Sequence, residues 1–393
     1  MMMHADSQAE LNTLLSEPYD LAAQRMTRQA RAHETGNELY ALYGAGQLGR
    51  TVLAYLRAVG VEPVAFADDT PAKQGQMVDG LPVMSPQQAA LKFGQRLVLV
   101  VTILNPQLNF LTARRRLQKL TEARVISFLH LAWRYPDSFL PYCQFESPIN
   151  ILKKAADIRR GFQLFADEES RRQFVAHLRF RLQLDFEALP ACVPDNYFPD
   201  GVLPVLPPNV VFVDCGAYDG DSVRAFLAHQ DGRFDHIYAF EPDARNCERL
   251  RSYVASLGAE AERIDVLNAA TGQRHEKLRF DSAGNMSSSF SSSGSVEVDV
   301  LPIDEVVQAN GAPVYLKFDV EGAEWEALKG CRRLLERARP FMAISVYHRP
   351  DDLWQLPLYI ESLGLGYYSF LRTQGEDGAD VIAYFLPATR VVA

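Results

Sequence analysis

Four residues in the middle of the chain have the types and spacing of a binding site for a nucleotide-like ligand. Asp214 ends an apolar run, and Gly216 and Gly220 follow it in the stretch VFVDCGAYDGDSV. Glycines here let the backbone turn tightly and approach a ligand closely. Glu241 ends the next apolar run, HIYAFE, where a carboxylate can accept hydrogen bonds from both hydroxyls of a ribose. The pattern predicts a ligand with an adenosyl group and a charged tail.

A second glycine-rich turn lies nearer the N-terminus, in the stretch LYALYGAGQLGRTVLAYL. Gly44, Gly46 and Gly49 form a GxGxxG motif between an expected strand and an expected helix, where a phosphate can approach the helix N-terminus. Asp68 ends the next expected strand, at the place of a ribose-binding acid. The motif predicts a nucleotide site, with an empty Rossmann-like scaffold as the alternative.

Two series of alternating strands and helices are needed to position these residues. The first begins at Leu39 with a strand, a glycine turn and a helix, and the second begins at Val210 and contains seven expected strands. Helices are expected after the first, second, fourth and fifth of these strands. The sequence therefore predicts an α/β protein with two Rossmann-like domains joined by a helical connector. The expected segments are a helical N-terminus (1–36), a Rossmann-like nucleotide-binding-type domain (37–135), the connector (136–208) and the C-terminal domain (209–393).

Length and composition agree with two folded domains. The chain has 393 residues, of which 48% are hydrophobic and 23% are charged, and one hydrophobic core seldom organises so long a chain. The formal net charge of -9 argues against nucleic acid as a partner, because such binding depends on clustered Lys and Arg. The five cysteines are scattered, which argues against a zinc site. The first residues, MMMHADSQAELN, lack the pattern of a signal peptide, and no apolar run is long enough to cross a membrane, so we expect a cytoplasmic protein.

The C-terminal segment resembles the FkbM-type methyltransferases over roughly residues 195–386. The resemblance rests on an ordered set of motifs, of which FDVEGAE is the most specific. The others are VFVDCGAYDGDSV, IYAFEPDARNCERL, VLNAA, LPIDEV and AISVYHRPDDLWQLPLYI. It implies a seven-stranded class I methyltransferase sheet, S-adenosylmethionine (SAM) as cofactor, and methyl transfer to a hydroxyl group of a sugar, glycan or natural product.

The resemblance also implies which residues bind the cofactor. Tyr218 stands where the general methyltransferase turn DxGxGxG often has a glycine, which leaves the role of Asp219 open. The implied cofactor residues are Asp214, Gly216, Asp219 and Gly220 around the methionine end, Glu241 at the ribose, and Asn268 with Ser288 of the serine loop (287–289) on the adenine side.

Methylation of a hydroxyl group requires removal of its proton, so the site should offer a base or a metal ion. Asp319 and His348 follow two apolar runs, VYLKF and FMAISVY, and Glu321 lies two residues after Asp319. We expect these three residues to be catalytic, with His348 as the first choice for the base and a hydrogen-bonded strand-end histidine as the alternative. Asp319 and Glu321 could instead bind a divalent ion, but a metal-free site is favoured.

The stretch just before the C-terminal domain contains two aromatic residues, Tyr197 and Phe198. They could close over the cofactor or the acceptor, or they could simply pack in the linker. The serine run that contains Ser288 indicates a loop, and its place between strands makes a lid over the site plausible.

The N-terminal segment resembles the Rossmann-like domain of sugar-nucleotide-linked acetyltransferases of the PglD type, in YGAGQLGR, VAFADDTPAKQG and DGLPVMSP. That resemblance implies a nucleotide or nucleotide sugar as a further ligand. Two alternatives remain open for the whole chain. One is an oxidoreductase that binds NAD or a nucleotide sugar at the GxGxxG motif, and the other is a non-catalytic module of two Rossmann-like domains.

Overall fold

The computed structural model describes residues 7–104, 109–192, 197–281, 289–290 and 296–388. The chain folds into two compact units, which we call the N-terminal unit and the C-terminal unit. The N-terminal unit consists of Met1–Ala156, Arg172–Cys192 and Gly375–Asp380, and the C-terminal unit consists of Asp157–Arg171, Val193–Gln374 and Val381–Ala393. No helix among these described residues is long and apolar enough to cross a membrane.

The N-terminal unit contains a six-stranded sheet in the order β3-β4-β2-β1-β5-β6, parallel except where β3 pairs with β4. Strand β5, LVLVV, is buried along its whole length, as expected for a parallel strand covered by helices on both faces. The strands are β1 (Leu39–Tyr43), β2 (Ala65–Ala67), β3 (Met77–Val78), β4 (Leu81–Met84), β5 (Leu97–Val101) and β6 (Arg124–Ser127).

The helices of the N-terminal unit include those of the N-terminal segment 1–36, because Met26 and Ala30 belong to the same buried cluster as the sheet. Helix α4 begins with a capping box, in which Ser85 and Gln88 bind each other's backbone N–H groups. The helices are α1 (Ser7–Leu15), α2 (Tyr19–Arg31), α3 (Gln47–Ala58), α4 (Pro86–Phe93), α5 (Phe110–Thr121), α6 (Phe128–Arg134), α7 (Pro136–Phe139) and α8 (Pro148–Leu152).

The segment 136–208 differs from the separate connector that its sequence suggested, because the structure divides it between the two units. Helix α9 (Ala155–Gln163) lies mostly in the C-terminal unit, and most of α10 (Glu168–Gln183) lies in the N-terminal unit. Large apolar side chains explain this difference, since Phe145 and Phe180 are buried in the core of the N-terminal unit. A solvated connector would have left these side chains exposed to water.

The C-terminal unit contains the expected seven-stranded sheet, in the order β16-β17-β15-β14-β7-β8-β9. Five strands are parallel, and the hairpin of β16 and β17 adds an antiparallel edge next to β15. This order confirms the predicted class I methyltransferase sheet. The strands are β7 (Val211–Cys215), β8 (His236–Phe240), β9 (Ile264–Leu267), β14 (Val314–Phe318), β15 (Phe341–Ser345), β16 (Tyr367–Thr373) and β17 (Val381–Pro387).

Helices follow the first, second, fourth and fifth strands of this sheet, as the sequence predicts. Asp243 caps α12 by accepting hydrogen bonds from the N–H groups of Arg245 and Asn246. The helices are α11 (Asp221–Gln230), α12 (Ala244–Ala255), α13 (Ile303–Val306), α14 (Glu324–Gly330), α15 (Arg332–Ala338) and α16 (Asp352–Ser362).

A four-stranded sheet in the order β10-β13-β11-β12 was absent from the sequence prediction. The stretch IDVLNAA, whose apolar residues predict a single strand, supplies β9 to the large sheet and β10 to the small one. Strand β13, VEVDVL, shows part of the pattern of a half-buried strand. In its second half the side chains alternate between buried and partly buried. The strands are β10 (Ala270–Thr271), β11 (Glu276–Asp281), β12 (Ser289–Phe290) and β13 (Val296–Leu301).

Candidate functional site

The carboxyl ends of β7, β8 and β14 lie side by side in the large sheet. Cys215 pairs with Phe240 of β8 on one side and with Phe318 of β14 on the other. The next residues along these three strands are Gly216, Glu241 and Asp319. The sheet register therefore brings three residues that were predicted from separate motifs to one edge, where ligands bind in open α/β sheets.

Gly216 makes the turn after β7 in a way that other residues cannot. Its φ is +86°, and a Cβ added there would lie 1.9 Å from the carbonyl oxygen of Asp319. The N–H groups of Gly216 and Ala217 both donate to the carbonyl of Phe240, at 3.0 and 2.9 Å. Gly220, also at positive φ, ends the turn at the start of α11. Gly216 thus brings the chain close to both neighbouring strands, and a Cβ at Gly220 would meet Leu250 of α12.

Asp214 is fully buried and lies within an ion pair. Its Oδ1 is 3.0 Å from Nζ of Lys317, with the two side chains 0% and 2% exposed, and the hydroxyl of Ser222 donates to Oδ2. Lys317 also donates to the carbonyl of Gly216 at 2.6 Å. Burial acts to lower the pKa of Lys317, but the carboxylates of Asp214, Asp319 and Asp221 together outweigh burial and raise that pKa. Its buried place beside Lys317 favours a role for Asp214 in orienting the turn over direct contact with the methionine end of a cofactor.

Glu241 is 5% exposed and holds the backbone on either side of the site. Its carboxylate accepts hydrogen bonds from the N–H groups of Tyr218, at 2.9 Å, and Asp243, at 2.8 Å. Burial raises the pKa of Glu241 to about 7, although these backbone hydrogen bonds act to lower it. The carboxylate has about four lone-pair positions, so a ligand hydroxyl can still be bound.

The remaining predicted cofactor residues have different surroundings. Asp219 forms an ion pair with Arg224 at 2.6 Å, and both side chains are partly exposed. Asn268 donates through Nδ2 to the carbonyls of Glu241, at 2.9 Å, and Pro242, at 3.0 Å. Asn268 therefore supports the turn that carries Glu241. Ser288 and the proposed lid lie outside the described residues, apart from the short strand β12.

Asp319, Glu321 and His348, the three predicted catalytic residues, lie together beside this turn. Nε2 of His348 is 3.4 Å from Oδ1 of Asp319 and 3.7 Å from Oε2 of Glu321. On the other side of the ring, Nδ1 is 2.7 Å from Oε1 of Glu324, the first residue of α14. The histidine side chain is only 6% exposed, so three carboxylates surround a buried imidazole.

These carboxylates change the protonation of the cluster. Burial acts to lower the pKa of His348, but Glu324, followed by Glu321 and Asp319, raises it to about 10. Burial likewise acts to raise the pKa of Asp319, while Lys317 and His348 hold it below its usual value. At neutral pH the imidazole carries a proton on each nitrogen. His348 can accept a proton only after it has lost the one at Nε2.

The two aromatic residues before the C-terminal domain have separate roles. The hydroxyl of Tyr197 donates to Oδ2 of Asp319 at 2.8 Å, and the ammonium of Lys317 lies 5.0 Å from the centre of its ring. Phe198 is 7% exposed and packs against Phe212 and Tyr315. Tyr197 therefore reaches the candidate site, whereas Phe198 belongs to the core.

Lys317 and Glu324 are site residues that sequence reasoning did not single out. A signal for Lys317 existed, because a charged residue within the apolar run VYLKF needs a buried partner. Glu324 lies inside the FDVEGAE motif, but its contact with His348 depends on a loop after a different strand. No spacing rule within one motif could have found that contact.

The glycine turn of the N-terminal unit is also formed as predicted. A Cβ at Gly49 would lie 2.0 Å from the carbonyl oxygen of Gly44, so Gly49 permits close packing of α3 on β1. A Cβ at Gly46 would meet no atom within 4 Å, which leaves space in front of the helix. Asp68 accepts from the N–H of Ala45 at 2.9 Å and lies 3.0 Å from Nζ of Lys73. Its carboxylate thus closes the turn on which a phosphate was expected.

Comparison with known proteins gives one match to a family model and one extensive structural likeness. Residues 214–386 match the family model of the methyltransferase FkbM domain. The chain is similar to the crystal structure of methyltransferase FkbM from Methylobacillus flagellatus KT, with a TM-score of 0.76 and 24% identity over 97% of this chain and 100% of that chain. This likeness shows that the two proteins share their fold.

Smaller parts of the chain align with other methyltransferase structures. An rRNA methylase from Streptococcus thermophilus aligns with a TM-score of 0.30 and 15% identity over 47% of this chain and 89% of that chain. A SAM-dependent methyltransferase from Aquifex aeolicus aligns with a TM-score of 0.29 and 13% identity over 47% of this chain and 85% of that chain. No curated protein sequence matches the chain.

Proposed function

We propose that this protein, whose residues 214–386 match the family model of the methyltransferase FkbM domain, is a SAM-dependent O-methyltransferase. The acceptor in this proposal is a hydroxyl group of a sugar, a glycan or a small natural product. The observation that carries the proposal is the turn from Gly216 to Gly220, with the carboxylate of Glu241 bonded to its backbone. This arrangement suits an adenosyl ligand at the carboxyl edge of the sheet.

In this proposal the backbone around Gly216 and Gly220 approaches the methionine end of SAM. Asp214 acts through Lys317, which fixes the carbonyl of Gly216. Glu241 accepts a hydrogen bond from the ribose in addition to those from the backbone. Asp219, Asn268 and Ser288 complete the proposed cofactor group, with Asn268 holding the turn rather than touching the ligand.

The acceptor in this proposal lies beside Asp319, Glu321 and His348. SAM supplies an electrophilic methyl group, and the acceptor oxygen must lose its proton as it attacks. The three side chains hold the acceptor oxygen at the edge of the sheet, next to the turn of Gly216. The hydroxyl of Tyr197 fixes one oxygen of Asp319 and leaves Oδ1 facing the cluster.

We also propose that the N-terminal unit binds a nucleotide or a nucleotide sugar at Gly44, Gly46 and Gly49. The open space in front of Gly46, at the start of α3, supports this part. Asp68 already binds the backbone of the turn, so its role is to hold the turn as much as to bind a ribose. Such a ligand would carry or select the acceptor, and the reaction itself would take place in the C-terminal unit.

Calorimetric titration of SAM into the full chain tests the cofactor assignment. Glu241→Ala should weaken SAM binding by roughly tenfold to a hundredfold, because hydrogen bonds to a charged acceptor are lost. Glu248→Ala, which changes an exposed acid on α12, is the control and should leave the affinity unchanged. Equal affinity in Glu241→Ala would contradict the ribose assignment. Absence of SAM binding by the unaltered protein would contradict the proposed function as a whole.

A further inference from the structure

One nitrogen of the buried histidine at the candidate site has no hydrogen-bond partner. Within the part of the chain that the structure describes, Nε2 of His348 and Oδ1 of Asp319 are buried atoms that form no hydrogen bond. The side chain of His348 is 6% exposed, so water has little access to this nitrogen. Buried polar atoms are nearly always satisfied, and one that is not calls for a ligand or an ion.

The other nitrogen of the ring is firmly held. Oε1 of Glu324 lies 2.7 Å from Nδ1 of His348 and also accepts the N–H of Val320 at 2.9 Å. The glutamate is 1% exposed, so it keeps this orientation. When a cation displaces the proton at Nε2, a carboxylate that accepts Nδ1–H keeps the remaining proton on Nδ1 and leaves the lone pair of the imidazole at Nε2. This arrangement of carboxylate and histidine is the usual support of a metal-binding histidine.

The atoms that face Nε2 have the spacing of neighbouring metal ligands. Oδ1 of Asp319 is 3.4 Å away and Oε2 of Glu321 is 3.7 Å away. Ligands that each lie about 2.1 Å from a cation are roughly 3.0 to 3.5 Å from one another. A small movement of Glu321, which is 41% exposed, brings its Oε2 into that range of Nε2. Ligand atoms of Asp319, Glu324 and His348 also lie within 4.8 Å of one another, so the residue that supports the ring lies close to the proposed ligands.

We propose that Asp319, Glu321 and His348 bind a divalent cation, and that Glu324 orients the imidazole. Two carboxylate oxygens with one imidazole nitrogen suit Mn²⁺, or Mg²⁺ with several waters, better than the softer ions that prefer thiolates. The ammonium of Lys317 lies 3.0 Å from Asp214, which balances its positive charge beside the site. The sequence alone favoured a metal-free site, because it did not reveal the contact between Glu324 and His348.

The role of this cation rests on the proposed function. Coordination by a divalent ion lowers the pKa of a hydroxyl group. The acceptor hydroxyl then releases its proton to water, its oxygen forms a bond to the methyl carbon, and the sulfur of SAM keeps the electron pair of the broken bond. Because Glu321 is partly exposed, the open side of the cation is where the acceptor binds. An acceptor with two adjacent oxygens would fill two coordination positions.

Manganese binding to the full chain tests the site without any assay of activity. The protein is treated with EDTA, dialysed and titrated with Mn²⁺ alone, and free Mn²⁺ is followed by electron paramagnetic resonance. We expect one Mn²⁺ per chain. Asp319→Asn and His348→Ala should each weaken binding by more than tenfold, because each removes a ligand. Glu326→Gln is the matched control, since Glu326 is on the same helix as Glu324 but is largely exposed and pairs with Lys329.

Glu324→Gln tests the positioning role, because the variant keeps the shape of the side chain and loses its charge. Loss of such a support typically weakens metal binding by about 10- to 100-fold, and we expect a change in that range. Thermal melting and SAM titration in EDTA show whether each variant is folded. A folded Asp319→Asn or His348→Ala that binds Mn²⁺ as well as the unaltered protein would overturn the site.

The experiment also separates this proposal from the proposed function. If the unaltered protein binds SAM and transfers methyl groups in EDTA but binds no Mn²⁺, the cation site is overturned and the methyltransferase remains. If it binds Mn²⁺ but no SAM, the proposed function is overturned and the cation site remains. Mg²⁺ competing with Mn²⁺ for the same site, with both weakened in Asp319→Asn, would support the assignment to a hard divalent cation.

Discussion

At the scale of single residues, the site depends on charges that the fold has removed from water. Lys317 and Asp214 lie on neighbouring strands with almost no exposure, and each would be costly to bury alone. Lys317 also holds the carbonyl of Gly216, so this ion pair fixes the turn on which the proposed cofactor lies. The ion pair positions the turn and adds little net stability, because burying two charges costs about as much free energy as their attraction gains.

Removing only one charge of the ion pair between Lys317 and Asp214 should strongly destabilise the fold. Lys317→Met leaves the Asp214 carboxylate buried and unpaired, and we expect a loss of about 3 to 5 kcal/mol in the free energy of unfolding. The double variant Asp214→Asn with Lys317→Met removes both charges and should recover much of that loss. Urea denaturation followed by circular dichroism measures both values. A double variant less stable than Lys317→Met would contradict this view of the pair.

The pKa of Glu241 leads to opposite expectations for binding and for stability. Burial raises this pKa to about 7, so the carboxylate that accepts ribose hydroxyls forms as the pH rises through 7. SAM affinity should therefore increase between about pH 6 and pH 8. The unfolded-state pKa is lower, so the stabilising contribution of protonated Glu241 is complete below about pH 4.5 and is lost as the pH rises through 7.

Calorimetry across this pH range measures the binding effect. Glu241→Gln cannot ionise, and its SAM affinity should lose that part of the pH dependence. If the unaltered protein and Glu241→Gln showed the same pH profile, Glu241 would not be the titrating group.

The sequence predicts those parts of the site whose position follows from a single motif. Gly216 and Glu241 follow apolar runs, and their place at the edge of a sheet follows from that alone. The contacts of Lys317 with Asp214 and of Glu324 with His348 join distant segments, so they depend on strand order and register. The surrounding carboxylates decide the protonation of His348 against the effect of burial, and those contacts exist only in the folded molecule.

At the scale of elements, several buried strands were predictable because parallel buried strands are continuous apolar runs bounded by turn residues. The runs LVLVV and VYLKF illustrate this, and both are fully buried. The small sheet was missed because its strands are short or half-exposed, and their pattern resembles that of a loop. In the segment 136–208, helical periodicity predicts helices but does not reveal which core each helix joins.

The two glycines of the N-terminal turn should respond differently to the same substitution. Gly49→Ala places a Cβ against a backbone carbonyl, and we expect a loss of about 1 to 3 kcal/mol or more in the stability of the N-terminal unit. Gly46→Ala, which meets no neighbouring atom, should leave stability nearly unchanged. Thermal melting of the two variants measures the difference. Equal melting temperatures would contradict the close packing of α3 on β1.

At the scale of the whole molecule, the two units should respond to different ligands. S-adenosylhomocysteine should slow hydrogen exchange at residues 211–220 and 236–246, and a UDP-sugar should slow it at residues 43–52, because a ligand stabilises the segment it binds. Mass spectrometry of exchange on the full chain measures both effects. Protection of residues 43–52 by NAD(H) but not by UDP-sugars would favour the oxidoreductase alternative. Protection by neither would contradict a nucleotide site there.

Each unit is built from segments that are separated along the chain, and this limits how recombination can exchange the units between genes. The C-terminal unit includes Asp157–Arg171, in which Gly161 packs against Trp354, and the N-terminal unit includes Gly375–Asp380, in which Asp377 accepts from the N–H of Phe110. A single crossover between two related genes, at any codon, would therefore separate at least one segment from the rest of its unit. We expect related genes to inherit the two units together.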